Sequence, residues 1–149
     1  MDNFDLNILR ELQVDASMSI ESLADRVALS RNACWRRMKN LEEAGIITAR
    51  VALVNPDAVN LGLTVLVMVR TNEHAAEWAD KFRRVVHSMP EITGAFRMSG
   101  DLDYVLRVRV CDVKSYDAFY QRLTTQLRLS DISASFVMEE IKDTTALPI

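Results

Sequence analysis

The chain has 149 residues, 26% charged and 49% hydrophobic, with a formal net charge of −3. That length allows one domain or two small ones, and the balance is that of an ordinary soluble protein. No apolar run reaches the roughly 20 residues of a membrane-spanning helix, and the acidic start Met1-Asp2-Asn3-Phe4-Asp5 has no signal-peptide pattern. The expected compartment is therefore the cytoplasm. Cys34 and Cys111 stand far apart in apolar patterns, so neither a metal knuckle nor, in a reducing compartment, a disulfide is expected.

The first helix is expected from Asp5 to Leu12, with Leu6, Ile8, Leu9 and Leu12 facing a core. Ser19 caps a second short helix whose apolar face is Ile20, Leu23, Ala24 and Val27. Ala28-Leu29-Ser30 makes a tight connection into a third helix, for which Ser30 is the N-cap. Cys34, Met38 and Leu41 recur at i, i+4, i+7 and form its buried stripe.

The other faces of this third helix carry Arg31, Asn32, Trp35, Arg36 and Lys39, and residues 31–39 hold four positive charges and no negative one. A helix pinned on its apolar side and offering Arg, Asn and Lys outward suits the major groove of double-stranded DNA. Arg pairs there with guanine and Asn with adenine, while further cations hold phosphates. The bland alternative is a solvated basic face, or a structural three-helix unit. Two short helices, a three-residue turn and a basic second member favour a helix-turn-helix. Bulk charge does not argue for DNA: residues 1–60 hold seven Lys/Arg and nine Asp/Glu, a net of −2. The acidic remainder opposes non-specific sticking.

Gly45 is a natural helix stop. Ile46-Ile47-Thr48-Ala49-Arg50-Val51-Ala52-Leu53 then changes to a β-branched, near-alternating pattern, read as a short strand or hairpin that forms a wing. Arg50 could reach a phosphate from it. Asn55-Pro56-Asp57 breaks the strand and opens a linker. The expected division is a winged helix-turn-helix domain at 1–54, a linker at 55–62 and a second domain at 63–149.

The second domain begins with the nearly continuous apolar strand Thr64–Val69, expected to be covered on both faces. Trp78, Ala79, Phe82, Val85, Val86 and Met89 mark one face of a helix that ends at Pro90. Strands follow at Ile92–Met98 and Tyr104–Val110. Asp112 caps a helix with Tyr116, Phe119, Tyr120, Leu123 and Leu127 inward, and a last strand runs from Ser133 to Ile141. The fold class is α+β, the second domain being a ferredoxin-like β-α-β-β-α-β unit with both helices on one face. That leaves one sheet face uncovered. Yet Val65/Val67/Val69 and Leu66/Met68 supply apolar residues to both faces, and Tyr104, Leu106, Val108 and Val110 also give one face that needs cover. A homodimer joined through the sheets is therefore expected. Arg107 and Arg109, on the other face of that strand, need carboxylates or water.

The turn Ser99-Gly100-Asp101-Leu102-Asp103-Tyr104 is the most chemically suggestive spot of this half. Gly100 lets the backbone bend or approach a ligand. Turn N–H groups can bind a carboxylate and paired acids an ammonium, so an amino acid zwitterion would find both partners. Ser133 and Ser135 add small hydroxyls. The plain reading is a hairpin turn with solvated aspartates. His74 and His87 have no second ligand at metal spacing and read as surface residues. No GxSxG, HExxH or phosphate-binding glycine loop occurs, and no metal, cofactor or enzyme activity is expected.

Essentially the whole chain resembles the Lrp/AsnC (feast/famine) family of transcription regulators. The likeness rests on Asp5-Leu6-Asn7-Ile8-Leu9, Leu23-Ala24-Asp25-Arg26-Val27, Arg37-Met38-Lys39-Asn40-Leu41-Glu42, Gly45-Ile46-Ile47 and Gly100-Asp101-Leu102-Asp103-Tyr104. Ala33-Cys34-Trp35-Arg36-Arg37, Glu77-Trp78, Ser135-Phe136-Val137-Met138-Glu139 and Thr144-Thr145-Ala146-Leu147-Pro148-Ile149 are similar to a cysteine-responsive branch. The resemblance implies DNA contacts from Ser30, Arg31, Asn32, Trp35, Arg36, Lys39 and Arg50. It also implies an amino-acid effector, cysteine in the close branch, bound between dimers at Gly100, Asp101 and Asp103 with Arg97, Met98, Tyr104 and Ser135 lining the pocket. Dimers would assemble to tetramers or octamers. An architectural DNA-wrapping protein without effector, or an enzyme of the siroheme decarboxylase kind, which is similar in fold, stand as the alternatives.

Overall fold

The computed structural model describes residues 1–73 and 75–149; His74 lies outside the described residues. The chain divides into two compact units, one of residues 1–53 with 141–149 and the other of residues 54–140. The expected division put the last nine residues with the second domain, whereas here they fold with the first.

The first unit holds α1 (Asn3–Val14), α2 (Ile20–Arg26) and α3 (Arg31–Glu43). Ile8, Leu9, Leu23, Ala24, Val27, Cys34 and Leu41 form its core, the apolar stripes read from the 3.6-residue period. Each helix start is capped: Asp2 accepts from the N–H groups of Phe4 and Asp5, Ser19 from Ser22, and Ser30 from Ala33. Gly45, at φ +69°, ends α3. The N–H of Ile46 reaches back to the carbonyl of Leu41 and that of Gly45 to Glu42, a Schellman closure. The turn between α2 and α3 closes the same way, through Leu29 to Ala24 and Ala28 to Asp25, but its left-handed residue is Ala28 at φ +54°.

The strand expected in the wing is where expectation and structure part. Residues 46–53 form no strand. Ile47 packs on the core, while Ile46, Val51 and Leu53 are exposed. A β-branched run stays unladdered when no second run lies beside it to take its N–H and C=O groups.

The second unit contains a 3-10 turn (Asp57–Val59), β1 (Leu63–Arg70), α4 (Ala76–Ser88), β2 (Ile92–Arg97), β3 (Tyr104–Val110), α5 (Val113–Gln126) and β4 (Asp131–Phe136). The antiparallel sheet runs β2-β3-β1-β4, the ferredoxin-like order. Val65, Val67, Val69, Leu106, Val108 and Val110 share one face and pack beneath Trp78, Phe82 and Val85 of α4 and Tyr116, Phe119 and Leu123 of α5.

Two expectations change here. The row Tyr104 to Val110 is the helix-covered face, not the one seeking a partner. The open face carries Leu66, Met68, Val105 and Phe96 between Thr64, Arg107 and Arg109, and Leu66 and Phe96 are 38% and 54% exposed. Within one chain β1 is therefore covered on one side only. The last strand also stops at Phe136 rather than Ile141. After Val137 donates to the carbonyl of Thr64, Glu140 turns its carboxylate to the Thr64 hydroxyl (2.6 Å) and to Arg109 (2.8 Å), and the chain leaves the sheet. That carboxylate is the partner Arg109 required, while Arg107 donates to Thr93 Oγ1.

Candidate DNA-binding helix and effector turn

The exposed side of α3 carries Arg31, Asn32, Trp35, Arg36 and Lys39, with Ser30 at its start. Trp35 is 51% exposed although it is a large aromatic. The ammonium of Lys39 lies 5.3 Å from its ring centroid, which holds the cation beside the indole. Arg31 pairs with Glu21 at 2.7 Å, both side chains more than half exposed. Such a pair opens at little cost to meet a phosphate. Arg36 makes no ion pair among the described residues. Arg50 is ion-paired to Glu42, so it reaches a phosphate only by leaving that carboxylate.

Arg37 differs from the other three cations of this helix. It faces inward, donating to Asp2 (3.0 Å) and Asp5 (2.8 Å), with its guanidinium 5.5 Å from the Phe4 ring centroid. The tally of four positive charges thus resolves into three facing outward and one that locks α3 to the start of α1. Sequence could not separate them, because the carboxylates are more than thirty residues away.

In the second unit, Gly100 (φ +114°) allows the turn after β2 to reverse. The N–H of Met98 donates to the carbonyl of Asp103 (2.8 Å), and that of Asp103 to Val69 (3.1 Å). The Asp103 carboxylate accepts from the N–H of Thr71 at 2.8 Å, and Arg70 Nε donates to the carbonyl of Asp101 at 2.9 Å. Asp103 is therefore engaged in holding the turn against the end of β1, while Asp101, with Ser99, Gly100 and Met98, is exposed. The supporting Arg70 and Thr71 were not singled out from sequence, since their approach depends on the β1–β3 register.

Arg97 and Tyr104 are register partners on the helix-covered face. They line a groove between α4 and β2 with a volume of about 540 Å³, walled by Phe82, Val86, Met89 and Ile92 and edged by Arg83 and His87. The Tyr104 ring lies 4.2 Å from Phe82 and 5.9 Å from Trp78, centroid to centroid. Ser135 is not brought to this place. It pairs with Leu66 on β4, the opposite edge of the sheet, and on the open face. Six of the seven expected effector residues thus gather around one turn, and the seventh does not join them within one chain. Both cysteines are free: Cys34 is buried in the first core, which raises its thiol pKa, and Cys111 is exposed.

A helix-turn-helix with a basic, tryptophan-bearing second helix, on the same chain as a β-α-β-β-α-β domain, defines a DNA-binding regulator with a ligand domain. The model of winged helix-turn-helix DNA-binding domains matches residues 1–48, and that of the Lrp/AsnC ligand binding domain matches residues 64–147. The chain belongs to the Lrp/AsnC family of transcriptional regulators. It is 46% identical to the DNA-binding transcriptional activator DecR of Escherichia coli strain K12, over all of this chain and 99% of that one. An AsnC family transcriptional regulator from Agrobacterium tumefaciens superimposes with a TM-score of 0.97 at 48% identity, covering 99% of this chain and 97% of that chain. A Neisseria meningitidis regulator in complex with L-methionine superimposes with a TM-score of 0.95 at 36% identity, covering 99% and 96%. Its relatives are regulators rather than enzymes, and so is this chain. Among the described residues, no helix is long and apolar enough to cross a membrane.

Proposed function

We propose that this regulator acts in the cytoplasm, reads its operators with α3 and is switched by a small amino acid at the 97–104 turn, with L-cysteine the first candidate. The observation that carries the reading is the exposed set Arg31, Asn32, Trp35, Arg36 and Lys39, in which Arg36 makes no ion pair among the described residues. Asn32 and Arg36 lie one helical turn apart and supply side chains suited to adenine and guanine edges. Ser30 and Arg31 at the helix start, Lys39 beside Trp35, and Arg50 once freed from Glu42 serve the phosphates and sugars.

For the effector, the exposed turn around Gly100 and Asp101 offers backbone N–H groups and a carboxylate to the two charged ends of an amino acid. The neighbouring groove, with Arg97 and Tyr104 in its wall, gives an apolar side chain somewhere to go. Met98 stands exposed beside the turn, and the Asp103 carboxylate holds the turn to the Thr71 N–H. The methionine-bound relative supports a small amino acid of this kind, and the resemblance to a cysteine-responsive branch is the reason for testing cysteine first. Ser135 joins this site only from another copy of the chain. The apolar open sheet face supports a homodimer, from which tetramers or octamers would be built. An amino acid that favours one assembly then shifts DNA affinity by linkage.

The test is a titration of the full-length protein onto labelled DNA from upstream of its own gene, with competitor DNA present, alone and with L-cysteine or L-methionine. Tight binding that changes with one amino acid supports the reading. Tight binding that ignores both rejects these effectors, and binding without sequence preference at any salt concentration returns the architectural alternative.

A further inference from the structure

The segment 141–149 folds with the DNA-binding unit although it follows the last strand of the other. Its end has a defined shape. The Ala146 N–H donates to Thr144 Oγ1 (3.1 Å), and the Ile149 N–H to the Leu147 carbonyl (2.9 Å), so the segment makes two tight turns, with Pro148 at the centre of the second. This shaped end meets one side of α1, where Asn7, Arg10 and Gln13 recur at i, i+3, i+6.

The contact is made to main chain. The Gln13 carboxamide accepts from the Leu147 N–H (2.6 Å) and donates to the Leu147 carbonyl (3.3 Å), imitating a strand partner for a single residue. Arg10 Nε donates to the carbonyl oxygen of Ile149 (2.6 Å), while Arg10 Nη1 is held by Asn7 Oδ1 (2.8 Å). The Leu147 side chain stays 67% exposed, so what α1 recognises is the backbone shape and not a buried anchor.

We propose that the Asn7/Arg10/Gln13 face of α1 is a docking surface for the main chain of residues 147–149, which makes this segment a releasable tether to the DNA-binding unit. The covalent path joins the two units at residues 53–54 and again at 140–141. The second joint follows Glu140, whose carboxylate is fixed to Thr64 and Arg109. Strain at β1 or β4 is therefore carried along a docked segment to α1, whereas an undocked segment carries nothing. Exposed hydrogen bonds without a buried side chain form a contact that opens readily, as a switchable tether must.

Amide hydrogen exchange in full-length wild type and Gln13→Leu tests this, since Leu preserves helix propensity while removing both carboxamide bonds. The Leu147 amide should exchange about tenfold faster in the variant, with the Cys34 amide of α3 unchanged as the control for folding. Arg10→Leu should free the segment end in the same way. Equal Leu147 exchange in wild type and Gln13→Leu overturns the proposal. The tethering role rests on the amino-acid reading above, and its readout is separate. Where L-cysteine or L-methionine changes operator affinity in wild type, Gln13→Leu should cut that fold-change at least about threefold; an unaltered response overturns the tether. A wild type that responds to neither amino acid counts against the effector reading, and exchange still decides the docking surface.

Discussion

Arg37 of α3 and Asp5 of α1 meet at 2.8 Å, and the same guanidinium lies 2.9 Å from Asp2 Oδ2. Asp2 and Asp5 also form the capping box of α1, so one cation closes both the helix start and the seat of α3. The Asp5 N–H, reinforced by Arg37 and the Phe4 N–H, holds the Asp2 carboxyl below the usual carboxylate range. A lowered folded pKa contributes stability above the unfolded value of about 4, and that contribution is lost as pH falls through the folded value. Arg37→Leu should therefore melt at a lower temperature than wild type at pH 7. The gap should narrow as circular dichroism melts are repeated down to about pH 2. A gap independent of pH would mean that Arg37 acts through packing alone.

Ala28 occupies the left-handed position of the α2–α3 turn at φ +54°. Its Cβ costs roughly 1–2 kcal/mol there, and glycine avoids that cost while adding freedom to the unfolded chain. Ala28→Gly should raise stability by about 0.5–1 kcal/mol in urea unfolding, with DNA affinity unchanged. Destabilisation would show that the methyl group has a packing role outweighing the backbone strain.

These two residues mark what could be read from sequence and what could not. Periodicity and capping set out the helices, because those signals lie within a few residues of where they act: Ser19, Ser30 and Asp112 cap the helices they were expected to cap. The turn after β2 was legible through Gly100 and the acids beside it. Partnerships across the chain were not. Arg37 looked like the other helix cations, Ser135 like a neighbour of the turn, and Ile46–Leu53 like a strand. In each case the outcome depends on what lies opposite in space, and local pattern carries no information about that.

The two acids of the turn should separate in a pair of variants. Asp103 Oδ2 accepts from the Thr71 N–H, so Asp103→Ala leaves a half-buried donor short of its partner and should cost about 1–3 kcal/mol of stability. Asp101 is exposed and its carbonyl, not its carboxylate, meets Arg70. Asp101→Ala should keep the melting temperature within about 2 °C of wild type and abolish the amino-acid effect on operator binding. Calorimetry and the DNA titration read the two outcomes. An effector response that survives Asp101→Ala would remove this carboxylate from the site.

Arg36 gives the sharpest test of the DNA face. It is exposed, one turn from Asn32, and free of ion pairs among the described residues, so its removal should leave the fold intact. A base-edge contact is worth about 1–3 kcal/mol, which is roughly a 5- to 150-fold loss of operator affinity for Arg36→Ala. A phosphate contact behaves differently. It would weaken operator and random DNA alike and lower the salt slope by about one unit. Measuring both affinities across a salt series therefore assigns the role as well as the contact: loss confined to operator means base readout, and equal loss on both DNAs means phosphate. Unchanged affinity on both would take Arg36 out of the interface and leave Arg31, Asn32, Trp35 and Lys39 to carry it.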